Sequence, residues 1–152
     1  MINIDRIFLQ MRYLKRWGII FSLIGILDSG YLSWIKFSHS EEKCFAGIGN
    51  CAAVNASSYS EIFKIPVAYL GLIAYLLVLI IIIISNTRIK MNNSIPYALF
   101  GVTLISFLFS GYLTYIQFGI LKTFCPYCLL SAVTTTCLFI ISTILMVKEI
   151  NL

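Results

Sequence analysis

The sequence predicts an all-α fold: a transmembrane four-helix bundle with one long outer loop and a short half-helix. Three observations carry that prediction. First, 60% of the 152 residues are hydrophobic and only 11% are charged, with a mean hydropathy of +0.95; a soluble domain carries roughly 25% charge. Second, four stretches (17–37, 66–85, 96–118 and 125–147) are long and apolar enough to cross a hydrocarbon core, which takes about 20 residues. The last three contain no Asp, Glu, Lys or Arg. Third, the sequence repeats internally: Ser-Gly-Tyr-Leu-Ser-Trp-Ile-Lys-Phe at 29–37 returns as Ser-Gly-Tyr-Leu-Thr-Tyr-Ile-Gln-Phe at 110–118. Six of the nine positions are identical, and the same offset of 81 carries Cys44 onto Cys125. Residues 1–152 thus read as one membrane domain built from two similar helical hairpins, with no room for a soluble catalytic domain beside the spans.

The elements follow in order. Residues 1–16 form a basic, amphipathic lead-in, with Phe8, Met11 and Leu14 resting on headgroups while the basic residues meet anionic lipid. The first span has Arg12, Lys15 and Arg16 before it, as a secretory signal would. It nevertheless holds Asp28, runs past signal length and lacks a small-x-small cleavage site, so it is read as a retained span. With both termini cytoplasmic, seven basic residues (Arg6, Arg12, Lys15, Arg16, Arg88, Lys90, Lys148) lie inside. Four (Lys36, Lys43, Lys64, Lys122) lie outside, offset by Glu41, Glu42 and Glu61. That bias sets the orientation in a cell (inner, cytoplasmic) membrane. It also explains the net charge of +5 by topology rather than by nucleic acid.

Both cysteine pairs then face the extracytoplasmic side, where disulfides persist. The outer redox loop, 38–65, carries Cys44 and Cys51 around two glycines that permit a tight turn. Its second part, 57–63, predicts a short helix. Ser57 or Ser58 is the N-cap, and Glu61 stands at the capping-box spacing from Ser58. Such a half-helix can lie across the bundle as a lid. Pro66 suits the first turn of the second span. A short inner turn follows at 86–93 and a shorter outer one at 119–124. Gly30 and Gly111, each beside a serine, are expected to let helices approach closely.

Cys125-Pro126-Tyr127-Cys128 begins the last span. With Cys125 at the cap, the unpaired N–H groups and dipole of the first turn favour a thiolate there. Cys128, one turn on, is within disulfide reach, so the pair suits thiol–disulfide exchange. Cys44 follows an exposed Glu-Glu-Lys and is assigned the outward role; Cys51 adjoins the lid and is assigned the inward one. A zinc site from the two pairs, two purely structural disulfides and a non-enzymatic scaffold are the competing readings. Cys137, roughly 18 Å below Cys125 at 1.5 Å per residue, is read as apolar filler.

A dithiol at a membrane surface needs an electron sink. The sequence has no Gly-rich nucleotide loop or haem motif, and His39 is its single histidine. The apolar space between spans suits a lipid-soluble quinone, with Phe63, Tyr69, Tyr112, Tyr115 and Phe124 near its outer end. Asp28, alone in the first span, is a functional candidate as an intramembrane carboxyl. It either relays protons or is held neutral by a serine across a helix interface.

The ordered set Cys44-x6-Cys51, Val54, Ser57, Tyr59-Ser60, Ile65-Pro66-Val67-Ala68, Leu70-Gly71 and Cys125-Pro-Tyr-Cys128 resembles the bacterial branch of the vitamin K epoxide reductase family, over most of the chain. The resemblance implies a quinone reductase that reoxidises a separate extracytoplasmic thioredoxin-like dithiol protein and reduces ubiquinone or menaquinone, supporting disulfide formation in exported proteins. By that resemblance Cys125 and Cys128 are the quinone-side pair, with Cys128 nearest the quinone. Cys44 and Cys51 are the shuttle pair, and Ser57 is the loop serine beside the site. Phe63, Val67, Tyr112, Leu121 and Ala132 are the expected quinone contacts. Lys64 stands where bacterial relatives commonly have Gly. Val67 and Ala132 replace polar quinone-contacting groups of the animal enzymes, which favours quinone reduction over epoxide reduction. The other bacterial disulfide-generating family carries its two cysteine pairs in the reverse order.

Overall fold

The computed structural model describes residues 4–38, 54, 57–62, 64–86, 94–123 and 125–150. Cys44, Cys51, Phe63 and Phe124 lie outside the described residues, so the predictions made for them are not addressed by the fold. Four helices carry the architecture: α1 (Ile4–Ser38), α2 (Val67–Asn86), α3 (Ser94–Tyr115) and α4 (Pro126–Ile150). All four are long and apolar enough to cross a membrane, α3 when taken together with the turn that follows it. Helix α1 packs against α2 and α4; α3 packs against α4 and, less closely, α2.

Large apolar side chains such as Leu27, Trp34, Phe37 and Ile105 point outward, as lipid solvates them. The interior is where hydroxyls collect. Ser22, Ser29, Ser33, Thr103, Thr134 and Ser142 are all buried. Most satisfy themselves on the preceding helical turn: Ser33 Oγ donates to Ser29 O at 2.7 Å, Thr103 Oγ1 to Leu99 O at 2.9 Å and Thr134 Oγ1 to Leu130 O at 2.8 Å. One pair, Thr103 Oγ1 and Ser142 Oγ at 2.6 Å, stitches α3 to α4. Apolar association gains little where the solvent is hydrocarbon, so such small polar contacts and close packing hold the helices together.

The close approaches are not at the glycines of the repeat. A methyl group added at Gly30 or Gly111 would meet nothing within 4 Å, so the packing role expected of them is not what they do. Gly25 has that role instead. A Cβ there would collide with the Tyr75 ring of α2, which rests directly on the α1 backbone.

The N-terminal lead-in is continuous with the first span, and it does not simply lie on headgroups. Phe8 is exposed, whereas Met11 is buried in the main core with Tyr75, Val78, Ile82, Leu138 and Leu145, and Leu14 packs against it. The helix continues unbroken from Ile4, so its apolar stripe is carried inward by the span it belongs to. At this end Lys15 Nζ donates to Ser85 O at 2.9 Å, capping the last turn of α2. Lys148 Nζ donates to Gln10 Oε1 at 2.6 Å, tying α4 to α1.

The predicted half-helix is shorter than expected. Ser58–Ser60 form a single 3-10 turn, and the chain then pairs back on itself as an antiparallel two-residue ladder, β1 (Glu61–Ile62) with β2 (Ile65–Pro66). Ser57 precedes the turn in extended conformation but makes no side-chain cap. Its Oγ instead donates to Val54 O at 2.6 Å. Glu61 does not close a capping box; it pairs with Lys36 at 3.1 Å. The reversal is made at Lys64, whose φ is 66°, in the left-handed region that glycine favours. Pro66 is consequently the last ladder residue, and the helix starts one position later, at Val67.

Candidate functional site

The site is assembled at the end of the bundle where α1 ends and α4 begins. Helix α3 does not stop cleanly there. Residues Ile116–Ile120 form a π-helical turn, closed by Leu121 N–H donating to Ile116 O at 2.9 Å. Such wide turns are rare and concentrate at functional sites. This one buries Gln117, whose Oε1 accepts from the Cys125 N–H at 3.5 Å, while Thr123 N–H donates to Gln117 O at 3.2 Å. The short connection is thereby folded under the start of α4.

Cys125 occupies the N-cap position. Its carbonyl accepts the first intrahelical bond, from Leu129 N–H at 3.1 Å, and Pro126 fills the first helical position, where no donor is needed. Cys125 is 2% exposed and packs against Val54, with Leu121, Tyr127 and Cys128 around them. Cys128 is half-buried and lines a cavity of about 400 Å³.

That cavity runs between the four helices. Val54, Ser57, Tyr59 and Ser60 roof it, and α2 contributes Val67, Ala68, Gly71, Ala74 and Tyr75. Ser106, Phe109 and Leu113 of α3 and Leu121 beyond it form another wall, and Cys128, Ser131 and Thr135 of α4 complete the enclosure. Leu70 and Ile105 line it and also face outward, Ile105 being 70% exposed, so the chamber has a lateral mouth between α2 and α3. Its polar feature is a hydroxyl cluster: Tyr75 Oη lies 2.8 Å from both Ser131 Oγ and Thr135 Oγ1 and donates to Ser131 O at 3.0 Å. An apolar chamber with a few convergent hydroxyls has the make-up of a small-molecule site.

Of the residues nominated from the sequence, Cys128, Ser57, Val67 and Leu121 are brought together in this wall, with Cys125 just behind it. Tyr112 and Ala132 are not. Tyr112 is 54% exposed on the outward face of α3, beside Phe109, and Tyr115 also faces outward. Ala132 lies on a shallow depression on the opposite side of α4, together with Cys137. The aromatic walls of the cavity are Tyr59, Tyr75 and Phe109. Asp28 is buried on α1, and among the described residues neither carboxylate oxygen has a hydrogen-bond partner, so no serine across an interface holds it.

Tyr75, Ser131, Thr135 and Gln117 were not singled out from sequence. The available signal was the four-residue spacing of Ser131 and Thr135, together with a glycine, Gly25, one turn from the lone carboxyl of the first span.

The profile of the Vitamin K epoxide reductase family matches residues 16–143. Thiol-disulfide oxidoreductase LTO1 of Arabidopsis thaliana is 33% identical over 132 residues, covering 84% of this chain and 34% of that protein. The chain therefore spans about a third of the length of that relative. The match takes in all four helices and both ends of the cavity, and the chain belongs to the vitamin K epoxide reductase family.

Proposed function

We propose that this protein is a quinone-dependent membrane thiol–disulfide oxidoreductase that reoxidises a thioredoxin-like dithiol partner and so supports disulfide formation in exported proteins. The observation that carries this reading is the position of Cys128 in the wall of an apolar, laterally open cavity, with Cys125 sealed beneath Val54. Val54 is three residues beyond Cys51, and three residues of chain span at most about 10 Å. That short separation in the sequence supports a relay from Cys51 to the Cys125 end.

The reaction runs as two exchanges. A partner thiolate attacks the Cys44–Cys51 disulfide at Cys44, forming a mixed disulfide and leaving Cys51 as a thiolate. The partner's second thiol resolves it and frees Cys44, and Cys51 attacks Cys125 of the Cys125–Cys128 disulfide, releasing Cys128 as a thiolate. Cys44 then attacks Cys51, which restores the Cys44–Cys51 disulfide and frees Cys125. Cys128 presents its sulfur to the cavity, and the Cys125–Cys128 disulfide would re-form as two electrons and two protons pass to a bound acceptor.

The residues present fit a quinone. The hydroxyls of Tyr75, Ser131 and Thr135 can donate to ring carbonyls, and Leu32, Val78 and Leu138 keep water from the chamber. Leu70 and Ile105 flank a mouth through which a lipid-dissolved molecule can enter. When bound, a quinone supplies the acceptor for two electrons and two protons. The cysteine end faces the extracytoplasmic side, with both termini cytoplasmic, in keeping with the distribution of Lys and Arg.

The test is oxidation of a reduced dithiol protein by the purified protein in lipid discs with ubiquinone or menaquinone. Quinone consumption should match thiol loss one to two and vanish in Cys128→Ala. A Cys128→Ala protein that turns over normally, or a wild type that consumes no quinone, defeats the reading.

A further inference from the structure

We propose that Asp28 supplies protons to the cavity and acts through the hydroxyl of Tyr75. This rests on the quinone reading above and adds a path for protons to its path for electrons.

Asp28 is 7% exposed, lies within a membrane-spanning helix, and has two carboxylate oxygens without partners among the described residues. A polar group buried in this way is costly, and ionisable groups kept inside membranes tend to mark proton or substrate paths. Its surroundings supply the two ends of such a path. One turn toward the terminal end, Gly25 makes room for the Tyr75 ring to lie on α1. Asp28 lies one turn from that contact on the same helix. The Tyr75 hydroxyl then joins Ser131 and Thr135 in the cavity wall.

One turn toward the cysteine end, Tyr31 packs on Tyr127 with ring centroids 5.2 Å apart. Tyr127 in turn packs around Cys125. Tyr31 is 42% exposed, so this pair reaches the surface. Asp28 therefore stands between a surface-reaching tyrosine pair beside the cysteines and the hydroxyl cluster of the chamber.

The balance closes. Converting the Cys125 and Cys128 thiols to a disulfide gives up two electrons and two protons, the number of each that a quinone takes up. Asp28 breaks its O–H bond as a proton passes toward Tyr75 Oη through one bridging water, since the two groups are not in direct hydrogen bond, and Tyr75 in turn releases its own phenolic proton into the chamber. The carboxylate recovers a proton lost by the thiols, by way of the Tyr31–Tyr127 side.

The experiment compares wild type, Asp28→Asn, Asp28→Glu and Tyr75→Phe in lipid discs with three readouts. These are thiol trapping of electron arrival at Cys125–Cys128, the rate of quinol formation, and redox-difference infrared spectra in the protonated-carboxyl region. Asparagine keeps the shape of the side chain but cannot deliver a proton. Expected for Asp28→Asn is normal arrival of electrons at Cys125–Cys128, quinol formation slowed by about a hundredfold, the low end of what a positioned proton donor contributes, and loss of a carboxyl band seen in wild type. Asp28→Glu should restore part of the rate. Tyr75→Phe should slow quinol formation while keeping the carboxyl band, and it serves as the second arm should Asp28→Asn fold poorly.

A wild type without a redox-linked carboxyl band, or an Asp28→Asn or Tyr75→Phe protein forming quinol at the wild-type rate, overturns the proposal. If wild type itself fills Cys125–Cys128 with electrons yet forms no quinol, it is the quinone reading that has failed, and this proposal falls with it.

Discussion

Lys36 and Gln117 occupy the same position in the two copies of the internal repeat, and each holds down the segment that follows its own helix. Lys36 Nζ donates to Ser60 Oγ at 2.8 Å and pairs with Glu61 at 3.1 Å, fastening the roof of the cavity to the end of α1. Gln117 Oε1 accepts from Cys125 N–H at 3.5 Å, fastening the start of α4 to the end of α3. The duplicated sequence thus supplies an anchoring side chain to each cysteine-bearing connection, charged where the connection is long and neutral where it is short and buried.

Replacing Lys36 by Met should therefore loosen the roof more than it weakens the protein. A partly exposed ion pair contributes at most about 1 kcal/mol, so the unfolding midpoint should barely move. Amide exchange at 57–62 should quicken. An exchange pattern identical to wild type would mean that the segment is held by other contacts.

Gly25→Ala should destabilise the bundle by about 1–3 kcal/mol, because overpacking a tight contact forces neighbouring side chains or backbone to shift. The added methyl group meets ring carbons of Tyr75 rather than a flexible chain end. Combining it with Tyr75→Leu should recover part of the loss in denaturation measured in detergent. Two mutations with purely additive costs would show that the ring is not what the methyl group strikes.

Lys64→Gly should stabilise the small ladder by about 1 kcal/mol, since a non-glycine residue at positive φ carries a steric cost of that order. The effect is read from the thermal midpoint. A midpoint that falls instead would put the lysine side chain, not its backbone, in charge of that turn.

In the reduced protein, Cys125 should alkylate slowly with a membrane-impermeant maleimide, because Val54 covers it. Val54→Ala should speed the reaction several-fold while leaving Cys137 unaffected. Equal rates in the two proteins would remove Val54 as the seal.

Much of this was legible in the sequence. Four apolar stretches gave the four helices to within a few residues, except that α1 begins well before Trp17. There the basic residues that suggest a membrane surface sit on a helix whose other face, through Met11, still joins the core. The half-helix at 57–63 misled because Ser58 and Glu61 have capping-box spacing, but Glu61 finds a stronger partner in Lys36. Tyr112 and Ala132 do not line the cavity, and the sequence could not show it for a physical reason. When lipid is the solvent, both sides of a helix are apolar, so periodicity no longer tells the inside from the outside. What does tell it is the hydroxyl row, Ser131 and Thr135 on α4 and Ser29 and Ser33 on α1, which turns inward because nothing outside can satisfy it.

The π turn at Ile116–Ile120 has a consequence for engineering this chain. A π turn takes up one residue more than an α turn over nearly the same rotation, so this is the place where the chain could lose a residue and still deliver the last helix at the same angle. A deletion in the regular helix before it would instead swing everything downstream by about 100°, the rotation per residue of an α-helix, and turn the sulfur-bearing start of the last helix away from the chamber.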